Sequence, residues 1–207
     1  MNKPLLDSDE QKVSYGFGLQ FGQQLMRNQF EGLDVDLVSA GIHAVLSGET
    51  PAISEQSLNA AFASLQEKLQ EKKAREALQL AELGKRFLDE NAKRDSVKTT
   101  ASGLQYEILE TGNGNTPGTQ NTVKTHYHGT FVDGTVFDSS VERGEPATFG
   151  VTQVISGWTE ALQLMQEGDK WRIFLPAELA YGDMGSPPVI PGGASLVFEI
   201  HLIEIVE

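Results

Sequence analysis

Hydrophobic and polar positions follow two different patterns along the chain, and the change falls near residue 97. Before it, apolar residues recur at helical spacing. After it, short apolar runs are separated by Gly, Pro and Asn, which is typical of strands and turns. Glycine follows the same division, with 7 residues in positions 1–96 and 14 in positions 97–207. The pattern predicts a helical half followed by a β-rich half, an α+β fold class.

The first part of the chain predicts two short amphipathic helices. One begins near Ser8 or Asp9, both residue types that cap helices, and the other lies between Asp34 or Asp36 and Gly48. Apolar residues at fourfold spacing place one stripe along the first helix: Val13, Phe17, Phe21 and Leu25.

Two helices of this size bury too little surface to be stable by themselves. A second copy of the chain would supply the missing partner surface, and Gly18 and Gly22 would let another helix approach closely. The sequence therefore predicts a homodimer through residues 8–50. The run "GFGLQFG" has the wrong spacing for a nucleotide loop and follows no predicted strand.

A third helix is predicted from about Ser54 to about Lys93, roughly 60 Å at ~1.5 Å per residue. Its middle, "QEKLQEKKARE", is polar on all sides, which indicates a spacer that crosses solvent. The alternative is two helices separated by a loop near Gly84. The predicted domains are a helical dimerisation domain (1–53), a long connecting helix (54–96) and a β domain (97–207). Within the β domain, "GWTEALQLMQEG" predicts one short helix with Leu162 and Met165 facing inward.

Composition narrows the classes of function. The 207 residues carry a formal net charge of −13, which disfavours binding to phosphate backbones, and they include no cysteine. Neither a signal peptide nor a membrane-spanning run is recognisable. We therefore expect a cytoplasmic protein that binds neither nucleic acid nor membrane.

The densest set of chemically capable residues is "HYHGTFVDGTVFDSS", residues 126–140. Alternation in a strand places Val123, Thr125 and Tyr127 on the core face, and His126 and His128 on the other. The two histidines have the spacing of metal ligands, but no third ligand is evident nearby, so surface histidines are the preferred interpretation.

The serines and aspartates of this stretch do not make a hydrolase motif. Ser139 and Ser140 lack the elbow that activates a serine, and Asp133 with its following glycine predicts a hairpin turn. Asp138 is either a buried structural carboxyl or a polar fixture in an apolar pocket. No second carboxylate pairs with it, which makes a glycosidase dyad a weak hypothesis.

Five motifs in order carry a family resemblance: "HYHGTFVDGTVFDSS", "RGEPATF", "VISGWTEAL", "LPAELAYG" and "SLVFEIHLIEI". Across about residues 101–207 the chain resembles the FKBP-type peptidyl-prolyl cis/trans isomerases. With "SYGFGLQFGQQL" and the long helix, it is similar to the dimeric bacterial subgroup that includes macrophage infectivity potentiator proteins, and most to its cytoplasmic members. The resemblance implies an antiparallel sheet wrapped on a short helix, with no metal or cofactor.

The resemblance also implies an aromatic pocket. Trp158 would form its floor, the Ile155 N–H and the Tyr181 hydroxyl would bind substrate carbonyls, and Asp138 would be held by Tyr127 and Arg143. The residues implied as catalytic are Tyr127, Phe137, Asp138, Ile155, Trp158, Tyr181 and Phe198. Those implied as substrate-binding are Arg143, Phe149, Val154 and Ile190.

Three positions depart from the usual family pattern: His128, Ala147, and Gly192 in the flap "GDMGSPPVIPGG". His128 is predicted to face away from the pocket. Ala147 would open one of its sides. The flap touches substrate in the family, so Gly192 bears on sequence preference and on affinity for the macrolide inhibitors, tacrolimus and rapamycin, that the resemblance implies.

The resemblance implies an isomerase that accelerates folding, with a dimer that holds partly folded, proline-containing clients in a chaperone-like manner. The alternative function is a module that binds proline-containing peptides with little turnover. A structural hypothesis assigns the aromatic residues to the core alone. A metal-dependent hydrolase would require stoichiometric zinc or nickel.

Overall fold

The computed structural model describes residues 5–27 and 30–206. It divides between Ala61 and Phe62 into two compact units, a helical unit and a unit that contains the sheet. No helix within the described ranges is both long and apolar enough to cross a membrane.

The helical unit contains α1 (Asp9–Arg27), α2 (Val35–Ser47) and the beginning of α3 (Glu55–Asn91). Ser8 caps α1 through a reciprocal pair of bonds: the Gln11 N–H donates to Ser8 Oγ at 3.3 Å and the Ser8 N–H to Gln11 Oε1 at 3.2 Å. At α2, Asp34 Oδ1 accepts the Asp36 and Leu37 N–H groups at 2.8 and 3.1 Å. Both predicted helices are confirmed, and their caps explain where they begin.

The apolar stripe of α1 is uncovered in the single chain. None of the described residues of α1 and α2 is buried. Phe17 and Phe21 are 58% and 53% exposed. Leu37 and Val45 of α2 are more exposed still. The unit therefore presents an exposed apolar surface.

Helix α3 runs unbroken through 37 residues, about 55 Å. Ser54 Oγ caps it by accepting the Ser57 N–H at 3.2 Å. Residues 66–76 are exposed, in agreement with the polar spacer predicted there. The alternative of a loop near Gly84 is wrong, because Gly84 is a buried part of the helix at a close packing contact.

Seven antiparallel strands between residues 98 and 205 form one sheet, in the order β1-β2-β6-β7-β3-β4 with β5 on β3. They are β1 (Lys98–Thr99), β2 (Gln105–Glu110), β3 (Thr122–Phe131), β4 (Val136–Ser139), β5 (Ala147–Gly150), β6 (Lys170–Leu175) and β7 (Leu196–Ile205). Two short helices, α4 (Ser140–Arg143) and α5 (Ser156–Leu162), and a 3₁₀ turn (Ala177–Leu179) join them.

Buried side chains of α5 and of the strands form one core. Leu162 and Met165 are fully buried, as predicted. Along β3, burial alternates as the sequence predicts, with Val123, Thr125 and Tyr127 buried. An antiparallel sheet against a short helix is therefore confirmed as the architecture of this half.

The last turns of α3 pack against the sheet, a contact that the sequence pattern does not predict. Asn91 Nδ2 donates to Gln105 Oε1 at 2.8 Å, and Gln105 Nε2 donates to the Leu88 carbonyl at 2.9 Å; both amides are buried. The rings of Phe87 and Phe174 lie 6.0 Å apart. These contacts join the last turns of α3 to the sheet, and the division between the two units accordingly lies before them, between Ala61 and Phe62, rather than at the change of pattern near residue 97.

The substitution Asn91→Ala is expected to lower the free energy of unfolding by about 1–3 kcal/mol, because it leaves the Gln105 amide oxygen buried without a donor. Urea denaturation followed by circular dichroism measures the change. Glu90→Ala on the exposed face is the control and should cost less than about 1 kcal/mol. Equal losses in the two variants would contradict a buried amide pair.

Candidate active site

Five aromatic rings from five different elements, with Trp158 at the centre, form one cluster. The Trp158 ring stands edge-on to the rings of Phe198, Tyr127 and Phe149, with centroids 5.3, 5.5 and 5.8 Å away. Phe137 continues the cluster, 5.5 Å from Phe198. Edge-to-face contacts of this kind fix ring orientation as well as burying area. The result is a rigid apolar surface with Trp158 at its centre.

Strand pairing around β3 brings these rings together. Gly129 of β3 lies opposite Asp138 on β4 and opposite Phe198 on β7. A Cβ at Gly129 would lie 2.7 Å from the Phe137 ring and 3.0 Å from the Phe198 ring. Only glycine leaves room for both rings at this point in the strand.

A charged triad borders the cluster. The Tyr127 hydroxyl donates to Asp138 Oδ2 at 2.5 Å, and Arg143 Nη2 donates to the Tyr127 oxygen at 2.8 Å. Arg143 Nη1 also donates to Asp138 Oδ1. Asp138 thus has a partner at each carboxylate oxygen, so it is a held group, not a free general base.

The electrostatics of the triad follow from these bonds. Burial raises the pKa of Asp138, but hydrogen bonds from Tyr127 and Arg143 and the Arg143 charge outweigh it, so that the pKa lies below its ordinary value. Burial, and then the hydrogen bond to the Asp138 carboxylate, raise the pKa of Tyr127. Hydrogen bonds to Tyr127 and Asp138 raise the pKa of Arg143. At neutral pH the triad holds one carboxylate, one phenol and one guanidinium.

The start of α5 carries two N–H groups, the Ile155 amide and the Trp158 indole, that have no partner among the described residues. Ile155 immediately precedes the helix, and no described residue accepts its N–H, while its carbonyl accepts the Trp158 N–H at 2.9 Å. The Trp158 indole N–H is buried and likewise finds no acceptor in the described part of the chain. Trp171, elsewhere in the core, has the same unpaired indole, so this feature does not by itself mark a site.

A loop after the 3₁₀ turn carries the remaining predicted residues. Ile190 is 5% exposed and packs in the core cluster, whereas Tyr181 is 38% exposed. The Ser186 N–H and the Ile190 carbonyl are 2.7 Å apart, and the Ile190 N–H donates back to the Ser186 carbonyl at 3.0 Å. The Gly193 N–H donates to the Gly182 carbonyl at 2.9 Å and closes the base of the loop.

Of the predicted site residues, the structure gathers eight into the core cluster or against it: Tyr127, Phe137, Phe149, Val154, Ile155, Trp158, Ile190 and Phe198. Asp138 and Arg143 join them through Tyr127. Tyr181 lies in the adjoining loop, more exposed than the others. Sequence reasoning missed Gly129, although a glycine within an alternating strand is the signal of a close approach.

The histidines and serines of residues 126–140 have structural partners. His126 Nδ1 lies 3.1 Å from Ser140 Oγ, and His128 Nδ1 lies 2.9 Å from Ser139 Oγ. Ser139 Oγ also caps α4, and Ser140 Oγ accepts the Tyr127 N–H at 2.7 Å. The histidines are half-buried and bonded, not the simple surface residues expected from the sequence.

Asp133 makes the predicted hairpin turn by accepting the Thr135 N–H at 2.9 Å. Among the described residues, no three His, Asp or Glu side chains come together as ligands for a metal ion. The arrangement at Trp158 offers an apolar surface and a held carboxylate. It pairs no nucleophile with a base, and so it suits a reaction that changes conformation without breaking a bond.

Comparison with known proteins places both halves of the chain. Residues 114–203 match the model of the FKBP-type peptidyl-prolyl cis-trans isomerase, and residues 10–108 match the domain amino-terminal to it. The chain is 44% identical to the FKBP-type 22 kDa peptidyl-prolyl cis-trans isomerase of Escherichia coli K12, over 99% of this chain and all of the relative. It is 39% identical to the outer membrane protein MIP of Legionella longbeachae, over 97% of this chain and 87% of the relative.

Solved structures agree. The crystal structure of FkpA from Escherichia coli matches with a TM-score of 0.71 and 34% identity, covering 97% of this chain and 98% of that chain. The fold and the sequence indicate the same family. The chain belongs to the FKBP-type peptidyl-prolyl cis/trans isomerases.

Proposed function

We propose that the isomerase reaction takes place on the aromatic cluster around Trp158, and that two chains associate through α1 and α2 to hold partly folded clients. The observation that carries the first proposal is the convergence of Tyr127, Phe149 and Phe198 on Trp158 beside one held carboxylate, Asp138. A prolyl ring is apolar and fits an aromatic surface. No group that forms a covalent intermediate is required.

The chemistry is rotation about the X–Pro amide. Resonance in this bond gives a barrier of ~18–20 kcal/mol to rotation. The planar amide separates charge, and the twisted transition state separates less. An apolar surface that replaces water therefore disfavours the planar ground state more than the twisted one. The buried rings would supply this surface.

Hydrogen-bond donors would orient the chain on either side of the bond. The Ile155 N–H, without a partner in the described residues, would donate a hydrogen bond to one substrate carbonyl, and the exposed Tyr181 hydroxyl would donate to another. Arg143 and Tyr127 would keep the Asp138 charge in a constant position at the rim. Phe137, Val154 and Ile190 would complete the apolar wall. These roles are the site assignments that the resemblance implied.

The exposed apolar stripes support the homodimer. A single chain leaves Phe17, Phe21, Leu37 and Val45 largely open to water. Association of two chains would bury them. A dimer with two catalytic sites would hold one partly folded, proline-containing client at both, and so raise the effective concentration of its prolines. Uncatalysed isomerisation takes on the order of 10–100 s, long enough to limit folding.

Two expectations from the resemblance stay proposals. Tacrolimus and rapamycin would bind the aromatic cluster, and Gly192 in the neighbouring loop would alter their affinity. A cytoplasmic location remains a prediction; one relative is named as an outer membrane protein, and cell fractionation would decide between the two.

The substitution Trp158→Leu is expected to lower kcat/KM for a Leu-Pro peptide by at least about tenfold, ~1.4 kcal/mol of transition-state stabilisation. Trp171→Leu is the matched control, since Trp171 is equally buried at 4% exposed but lies outside the ring cluster. Both variants should lose similar stability, measured by thermal unfolding. Equal loss of turnover in the two variants would mean that Trp158 serves only as a core residue. If the unaltered chain binds the peptide without turning it over, a peptide-binding module is favoured instead.

The rate should be independent of pH between about 5 and 9. Asp138, whose pKa is lowered, stays ionised there, and Tyr127, whose pKa is raised, stays neutral. The stabilising contribution of Asp138 is present above its unfolded pKa of about 3.9 and is lost as pH falls through the lower folded value. That of Tyr127 is lost as pH rises above about 10. A bell-shaped profile of kcat/KM centred near neutrality would instead indicate proton transfer.

The double substitution Phe17→Glu with Phe21→Glu is expected to give monomers of 22.5 kDa in sedimentation equilibrium, where the unaltered chain gives twice that mass. Peptide turnover should stay unchanged, because the ring cluster lies in the other unit. Catalysis of the refolding of a proline-limited protein should fall several-fold. The control is Gln20→Glu, which adds charge to α1 without removing an apolar side chain. If the double variant still forms a dimer, the interface lies elsewhere.

A further inference from the structure

Helix α3 touches the polypeptide that leads into the site at a point where only glycine fits. Gly84 is buried, and a Cβ built on it would lie 2.7 Å from Ser195 Cβ and closer still to Ser195 Oγ. No real Cβ tolerates such distances, so the helix backbone and residue 195 are already in contact. Ser195 directly precedes β7, which carries Phe198.

A second contact lies two helical turns earlier. Gly193 has φ +73°, and a Cβ there would lie 2.9 Å from the Ala77 carbonyl carbon. A Cβ on Gly192 would lie 3.5 Å from Ala77 Cβ. Since residues 77 and 84 are seven apart, both contacts fall on one face of α3. The same face continues to Leu88 and Asn91, which are buried against the sheet unit.

The residues that contact α3 form the base of the loop that carries two of the proposed site residues, Tyr181 and Ile190. The Gly193 N–H closes the loop on the Gly182 carbonyl, and Gly182 adjoins Tyr181. Ile190 lies within the loop and packs in the core cluster. Two segments of the loop base, residues 192–193 and Ser195, therefore rest on α3. The position of α3 therefore sets the position of the loop base.

We propose that the face of α3 formed by Ala77 and Gly84 is a positioning element of the isomerase site: it holds the base of the loop so that Tyr181 and Ile190 meet the substrate. The long helix is then part of the catalytic unit as well as a connection between units. This inference rests on the substrate-binding role proposed for Tyr181 and Ile190. It adds that their placement is set from the helix.

The full-length variant Gly84→Ala tests it, because one added methyl group pushes residue 195 away from the helix. We expect KM for a Leu-Pro peptide to rise and kcat/KM to fall about tenfold, since small displacements in a site have large effects. The relative preference among residues before proline should change as well. Lys85→Ala, on the exposed face of the next residue, should leave every constant unchanged.

Substitutions at Ser195 show whether the effect passes through the contact. Ser195→Gly removes the side-chain atoms that the new methyl group would meet, leaving the Ser195 backbone nitrogen at 3.6 Å, which is ordinary van der Waals contact. The double variant Gly84→Ala with Ser195→Gly should therefore recover the kcat/KM of Ser195→Gly alone. Ser195→Ala keeps the Cβ at 2.7 Å and should not rescue Gly84→Ala. A melting temperature for each variant separates loss of fold from displacement of the loop.

The outcomes are distinct. Recovery by Ser195→Gly but not by Ser195→Ala supports the positioning role. Unchanged kinetics in Gly84→Ala, or a loss that Ser195→Gly leaves uncorrected, overturns it while the proposed site stands. An unaltered chain that fails to turn over the peptide overturns the proposed function, and this inference with it.

Discussion

The register of β3 is the constraint on which the site depends. This strand pairs with β4, β5 and β7, and each pairing delivers one wall of the ring cluster. Gly129 meets Asp138 and Phe198, and Val123 meets Phe149. A slip of one residue would turn Tyr127 to solvent and His126 inward, which would break both the triad and the core. Burial of the apolar face of β3 therefore fixes the register, and the register brings the aromatic rings and the Tyr127–Asp138–Arg143 triad together.

The polar groups near the rings are compatible with an apolar site because each has a partner. Asp138 is bonded at both oxygens, so a charge can sit beside aromatic rings without the cost of an unpaired carboxylate. Ser140 ties the backbone of β3 to the start of α4, which brings Arg143 within reach of Tyr127. The same bonds that stabilise the rim also withdraw its charged groups from acid–base chemistry, as suits an isomerase that breaks no covalent bond.

The two units differ in how they are stabilised. The sheet unit buries its own core, with residues such as Leu162, Ile173 and Ile200 fully enclosed. The described helices α1 and α2 bury none of their residues, so packing within the single chain contributes little to their stability. Helix α3 belongs to both patterns: it is exposed along residues 66–76 and buried at Gly84, Leu88 and Asn91. One helix thus extends from the exposed apolar unit to the base of the loop that carries Tyr181 and Ile190.

The sequence by itself determined the long helices, the short helix α5 and the two faces of β3. Ser8 and Asp34 are caps that act within their own first turn, and the alternation of β3 depends on neighbours two residues apart, so local chemistry is sufficient to predict both. The motifs around Tyr127, Trp158 and Phe198 determined the family. Only the tertiary structure decided that Gly84 packs against Ser195, that Asn91 pairs with Gln105, and that His126 and His128 bond to serines. Each of those outcomes depends on contact with a residue that is distant in sequence. Periodicity within one segment carries no information about such contacts, and a glycine in a helix does not show which residue will pack against it.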